Sequence, residues 1–487
     1  MPTPKLYLDP PLRSFIAELP DELLQEIFRY FRPSTTTTAP ETPIRVRVVC
    51  KETLNTTSLS TPWLLSYVCQ RWRNIAISHS VLWSWLILDF AEYDKQKSKI
   101  HVLYRLALHL ERSGTQQLSV SIVDRRDDIR HDTTCPSFQA MYVFPMLKPT
   151  TTRWRVLELD GGVAMAIWFQ NSKFDQLRAL TLFLHGFEPE ADAKMTTFKD
   201  APNLRRLDLL GMYPMEMPWS TIRTYVTTQG GVSLLRHMEN LTVLDLTGCA
   251  ADPVALANAF MDFHDFAPVT LPNVVKLILA EYKYKVPSGF NKALTQNLRM
   301  PSLREVCLIL SAGDVSVPVF MHDSAAGVTY VMIEMWHDME KQQCDDIIEM
   351  LKGMSKIEEL NFTKAANPAI LEALKASACG DILVPNLNYL TVNSETMVNN
   401  GSLMYDMVVS RDLAAEKSKP KDDPARLSAR CKILQDVFFL DGPHGWWEDD
   451  DRVDPVFVDK WNLLIYGDED EDERGEVNES DPKQLDV

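Results

Sequence analysis

The chain has 487 residues, 45% of them hydrophobic, and a formal net charge of −17, about half of it from the ten acidic and two basic residues between 467 and 487. That length admits about three ordinary domains, or one small domain with a long repeat array, and the acidic balance leaves no basic footprint for a phosphate backbone, so nucleic acid is excluded as an expected ligand. Its uncharged apolar runs are too short to span a bilayer and no basic amphipathic helix suggests a membrane surface, so no membrane partner is expected.

The opening "MPTPKLYLDPPLR" lacks the apolar run of an export signal. The eight cysteines form no CxxC pair. Free thiols in a reducing compartment, cytoplasm and/or nucleus, are therefore expected.

The first predicted element is a helix in "LPDELLQEIFRYF", Leu19 to Phe31. At 100° per residue Leu23, Leu24, Ile27, Phe28, Tyr30 and Phe31 gather in an arc of roughly 160°, opposite the charged residues. Pro20 suits the first helical position, and Asp21 and Glu22 suit the positive end of the helix dipole. The arc is wider than the roughly 100° that one core contact needs, so a second surface is expected to cover the remainder. A loop follows at "RPSTTTTAPETP". A second amphipathic helix is predicted in "WLLSYVCQRWRNIAIS", with Leu64, Leu65, Val68, Cys69, Trp72, Ile75 and Ala76 on one side. "HSVLWSWLILDF" closes the segment with another tryptophan-anchored apolar run. So small a core seldom stands alone, and no metal-spaced His/Cys set supports it, so association is expected, with a partner or with the rest of the chain.

These residues carry a resemblance. "LPDELLQEIF" followed by "YVCQRWRNIAISHSVLW" resembles an F-box, with Leu19-Pro20, Val68-Cys69, Trp72 and Leu82-Trp83 in the family's order. It spans Ser14 to Leu88 and departs from compact members in the long insertion 33–60. The resemblance implies docking onto the Skp-type adaptor of a cullin–RING (SCF-type) ubiquitin ligase. It further implies that Ile16, Leu19, Pro20, Leu23, Leu24, Ile27, Val68, Cys69 and Trp72 line the docking surface.

A helix over His101–Arg112 and a strand over Leu118–Val123 come next. An apolar-x-x-apolar-x-apolar phrase then recurs, as in "APNLRRLDLLG", "MENLTVLDLTGC" and "VPNLNYLTVN". Its central apolar residues are Leu157, Leu180, Leu207, Leu244, Leu277, Val306, Val331, Leu360 and Leu390. Alternation of this kind predicts strands, with helix-compatible stretches between them. The pattern resembles an irregular leucine-rich repeat. The fold expected is thus α/β: a small all-helical N-terminal F-box followed by a leucine-rich-repeat solenoid, with a disordered acidic tail. Its expected divisions are an extension 1–13, the F-box 14–90, an N-terminal cap 91–150, the solenoid 151–410, a C-terminal cap 411–466 and the tail 467–487. An ordinary α/β domain with similar strands is the alternative.

No phosphate-loop, dinucleotide, zinc-protease or nucleophile-elbow motif occurs, so no catalytic residue, metal or cofactor is expected. The resemblance implies a substrate-recognition subunit that holds an unidentified target protein near a ligase. The alternatives are an interaction scaffold of the same fold not joined to a ligase and, more remotely, an enzyme with an unrecognised site. Target contacts are expected where each strand turns one residue outward, a row including Glu158, Asp208, Asp245 and Asn361, with Arg206, Lys276 and Glu359 nearby.

Overall fold

A computed structural model describes residues 15–30, 60–90, 99–124, 138–185, 194–210, 215–227, 234–246, 268–281, 290–310, 318, 320, 322–335, 341–363, 366–376, 382–392, 394–418 and 437–439. The chain divides into two compact units, the first covering 1–241 with 248–262 and the second 242–247 with 263–487.

The first unit begins with helices α1 (Phe15–Glu18), α2 (Asp21–Tyr30), α3 (Ser60–Val68) and α4 (Gln70–Ser78). A 3-10 turn at Ser80–Ser84 leads directly into strand β1, Trp85–Asp89. Helix α5 (Lys99–Arg112) then precedes β2 (Leu118–Val123). Four more strands follow: β3 (Trp154–Gly162), β4 (Ala179–His185), β5 (Arg206–Leu210) and β6 (Thr224–Thr227). All pair in parallel, in chain order.

The second unit carries β7 (Val243–Leu246), β9 (Lys276–Glu281), β11 (Glu305–Leu310), β12 (Tyr330–Met335), β13 (Glu359–Phe362), β14 (Tyr389–Val392) and β15 (Val437–Phe439), again parallel and in that order. A separate two-stranded sheet joins β8 (Val269–Thr270) to β10 (Leu298–Arg299).

The recurring phrase sets the register. Leu157, Leu180 and Leu207 are opposite one another on adjacent strands of the first unit. Leu244, Leu277, Val306, Val331, Leu360 and Leu390 do the same in the second. All are buried, as the period of two requires of the inward face. The asparagine of the lead has its own task. Asn203 Nδ2 donates to the Asp175 carbonyl at 2.6 Å, Asn240 to Ser220 at 2.8 Å and Asn386 to Ser355 at 3.0 Å. Each stands four residues before its register leucine (Leu207, Leu244 and Leu390). Replacing Asn203 with Ala should cost about 1 kcal/mol in urea denaturation, the net worth of one such bond. No change in stability would mean that water replaces the amide without loss.

The expected fold class needs correction. Residues 14–90 do not make a separate all-helical module: Trp85–Asp89 is a strand, paired over its whole length with Leu118–Val123. The helices before it belong to the same unit as β1–β6. Their core of Leu24, Phe28, Trp63, Leu65, Ile75, Ala76, Leu82 and Trp83 also takes in Leu108 of α5. Nor do the described residues form one leucine-rich-repeat solenoid. The parallel strands fall into two α/β units, and their spacing is uneven. The 37-residue interval from Leu207 to Leu244 hides β6, whose Tyr225 lies opposite Leu207. The tail 467–487 lies outside the described residues.

The single helix predicted across "WLLSYVCQRWRNIAIS" is two helices. Cys69 separates them in extended conformation (φ −157°, ψ 172°), and its Sγ caps α4 by accepting the Trp72 N–H at 3.4 Å. A polar capping atom at this position satisfies an orphan donor of the new helix, which a continuous helix would not offer.

In the second unit, Arg411 lies inside Ser394–Ser418 and is buried. It donates to the carbonyls of Leu374, Leu383 and Val384 at 3.1, 2.9 and 2.7 Å. Burial lowers its pKa to about 10, still far above neutrality, so the guanidinium stays charged there. Val384 has φ +49°, a region that a β-branched side chain resists, and its carbonyl is one of the three held.

Candidate functional site

The over-wide apolar arc of α2 divides in two. Leu24 and Phe28 are fully buried in the core, with Phe28 set edge-on against Trp72 at 4.8 Å between ring centroids. Leu23 and Ile27, one turn apart, remain 50% and 39% exposed. Ile16 on α1 is 50% exposed and Val68 at the end of α3 is 60% exposed. Tyr30, Leu64 and Tyr67 are exposed as well. Single exposed apolar residues are ordinary, but seven in one short helical region are not.

Three contacts fix the helices that carry these residues. Arg71 bridges to Asp21 at 2.6 Å and also donates to the Leu19 carbonyl, tying α4 to the entry of α2. Arg73 Nε donates to the Ser66 carbonyl at 2.9 Å, tying α4 to α3. Trp83 Nε1 donates to the Ala76 carbonyl at 2.7 Å, tying a fully buried core ring to α4. The Arg71–Asp21 pair is largely exposed and adds little energy; its worth is positional.

Of the nine residues expected to line an adaptor surface, Ile16, Pro20, Leu23, Ile27, Val68 and Cys69 are exposed. Leu19 and Trp72 are partly buried against the core. Leu24 is inaccessible, so its side chain contributes to folding and cannot touch a partner. Tyr67 was missed because at about 100° per residue it falls outside the arc of Leu64, Leu65 and Val68, within α3 alone.

The outward row of the sheets is more closed than the sequence suggested. In the first unit Glu158, Thr181 and Asp208 are in register and half-buried. Asp208 meets Arg206 Nε at 2.9 Å and accepts from Thr181 Oγ1 at 3.3 Å. Burial raises the Asp208 pKa, opposed by the Arg206 charge and by hydrogen bonds from Arg206 and Thr181.

In the second unit Asp245, Ile278 and Cys307 are in register and only 3%, 3% and 1% exposed. Asp245 is therefore no accessible target contact; reversing its charge would report on folding. Burial pushes the Cys307 thiol up to about 11 and makes it a poor nucleophile near neutrality. Lys276 pairs with Glu305 at 2.8 Å. Burial works against the Lys276 ammonium, but the hydrogen bond to Glu305 and the neighbouring Cys307, Glu305 and Tyr330 leave its pKa raised. Asn361 Nδ2 donates to the Tyr330 hydroxyl at 3.0 Å and to Glu359 at 2.9 Å. Arg206, Asp208, Lys276, Glu359 and Asn361 are thus each engaged with neighbours and partly reachable from outside.

Among the described residues no group of three or more His, Cys, Asp or Glu side chains could hold a metal ion. No helix among them is long and apolar enough to cross a membrane. No protein-family model matches the chain, and no curated protein matches it.

Proposed function

We propose that this chain is a substrate-recognition subunit of a cullin–RING ubiquitin ligase, docking a Skp-type adaptor through α1–α3 and a target protein through the partly open sheet residues. The observation that carries the reading is the set of exposed apolar side chains Ile16, Leu23, Ile27 and Val68 on α1–α3, at positions the F-box resemblance marks for contact. On this reading the chain makes and breaks no bonds. It raises the concentration of a bound target beside a ligase-held ubiquitin donor. Work in the cytoplasm and/or nucleus accords with it.

The test is a calorimetric titration of a Skp-type adaptor with the full chain and with Leu23→Ser/Ile27→Ser/Val68→Ser. Each of these side chains still has about half its surface to bury, on the order of 1 kcal/mol apiece. Affinity should fall by roughly 100- to 200-fold while the melting temperature holds, since all three are exposed. Adaptor binding at parental strength in the triple variant would remove this docking mode. No binding by the parent would leave an interaction scaffold outside any ligase as the surviving reading.

A further inference from the structure

The first unit holds a second constellation, which the adaptor reading does not use. Helix α5 places Arg105, His109 and Arg112 at i, i+4 and i+7, hence on one face. That face meets two tryptophans from the preceding helical segment. The Arg112 Cζ lies 4.7 Å from the Trp63 ring centroid and 4.6 Å from that of Trp83. The Arg105 Cζ lies 5.0 Å from Trp63. Two cations share one indole, and a third basic side chain, His109, sits edge-on to Trp83 at 5.2 Å.

Stacking suits a guanidinium, but it provides no hydrogen-bond acceptor. Arg105 Nε, Arg112 Nη1 and Trp63 Nε1 are all buried without a hydrogen-bond partner among the described residues. Neither arginine forms an ion pair with any of those residues. A buried N–H left without an acceptor is costly, and native structures seldom tolerate three together. Burial lowers the Arg112 pKa, opposed by Glu111, Tyr104 and Tyr67, so both phenols are close by. Tyr67 and Tyr104 are themselves exposed.

The chemistry selects an occupant. Two guanidiniums supply two positive charges that do not titrate in the working range. A carboxylate brings one negative charge; a phosphoryl group brings about 1.5 to 2, with three strong acceptor oxygens. Three unpaired N–H donors and two cations match the second. We propose that Arg105, Arg112 and Trp63 form a binding site for a phosphoryl group. Free phosphate and a phosphorylated polypeptide share that chemistry.

Thermal denaturation and calorimetry of the full chain would test it. Inorganic phosphate should stabilise the parent in a saturable way, relative to chloride at matched ionic strength. Arg105→Gln/Arg112→Gln should weaken that response at least tenfold. Equal effects of phosphate and chloride on the parent would overturn the site, as would an unchanged response in the double variant. Should the glutamine variant fail to fold, Arg105→Lys/Arg112→Lys keeps the charges and removes the planar forks. It should bind several-fold more weakly, and parental affinity would overturn the site. Phosphoserine and phosphotyrosine peptides separate the sources. Binding tenfold tighter than inorganic phosphate, abolished on dephosphorylation, supports the site with a polypeptide source; peptides no tighter than phosphate support it with free phosphate. Leu23→Ser/Ile27→Ser/Val68→Ser should leave the phosphate response intact, so failure here and failure of adaptor docking are told apart.

Discussion

Trp83→Ala should destabilise the first unit by about 3–5 kcal/mol, the range for truncating a large buried aromatic. The ring has no exposed surface, packs edge-on to Trp63 at 5.1 Å and donates its N–H to the Ala76 carbonyl at 2.7 Å. Truncation removes the apolar contacts, the stacking platform of Arg112 and the acceptor's partner at once. Because Trp83 lies in the turn that leads directly into β1, the loss should reach the sheet as well as the helices. Urea denaturation followed by far-ultraviolet circular dichroism would measure it. Trp83→Phe keeps the packing without the N–H and should recover more than half of the loss. A cost under about 1 kcal/mol for the alanine variant would show that the helical segment packs without this ring.

The second large effect is a pH dependence. His109 is fully buried on α5, and desolvation brings its pKa down from 6.5 to about 4. The backbone at Trp85 and Trp83 opposes that shift, and the Arg112 and Arg105 charges add to it. The folded state therefore binds this proton less readily than the unfolded chain. Above about pH 6.5 neither state is protonated at this site and it contributes no pH dependence. As the pH falls from 6.5 towards 4, the unfolded state takes up the proton and stability is lost. By pH 4.5 the loss should be about 2–3 kcal/mol, at 1.36 kcal/mol per pKa unit. His109→Phe retains an aromatic ring and removes the titration. The parent minus variant difference in unfolding free energy should shrink by that amount between pH 7 and 4.5. A constant difference would place the acid sensitivity elsewhere.

What the sequence disclosed followed from period and spacing. Leu157, Leu180 and Leu207 were aligned by their phrase, and the strands align them in space. Two-residue alternation is enforced by burial of one face, so the pattern survives without any knowledge of neighbours. Strand β6 escaped because "TYVT" has neither the asparagine lead nor a leucine; only its pairing with β5 makes it a strand. Strand β1 escaped because the F-box resemblance claimed "WSWLILD" for a helical unit, although its burial alternates along Trp85–Asp89 as a strand's should. The break at Cys69 was hidden because a helical wheel has no way to register a side chain that bonds to its own backbone.

The docking residues were legible as a width of arc, and which half would be covered was not. Leu23 and Leu24 are equivalent to composition, and only the positions of Trp63, Ile75 and Trp83 decide that Leu24 goes inside. Asp245 and Cys307 illustrate the same limit on the sheet, since their burial depends on neighbours outside their own phrases. The arginine–tryptophan cluster was invisible for a further reason: Trp63 and Arg105 are 42 residues apart, and nothing in either local pattern calls for the other.

The amides of Asn203, Asn240 and Asn386 bear on how such a chain can drift over generations. Each locks the entry of a strand to a carbonyl of the segment before it, always four residues ahead of the register leucine. Register is settled there, so the connection between one strand and the next carries none of that information. Residues can be gained or lost in the connections at little entropic cost. A single insertion between Asn203 and Leu207 would instead turn every following side chain of β5 to the opposite face. Descendants of one ancestor should therefore differ freely in the length between strands while keeping the four-residue step from asparagine to leucine, which makes that step the feature by which to align them.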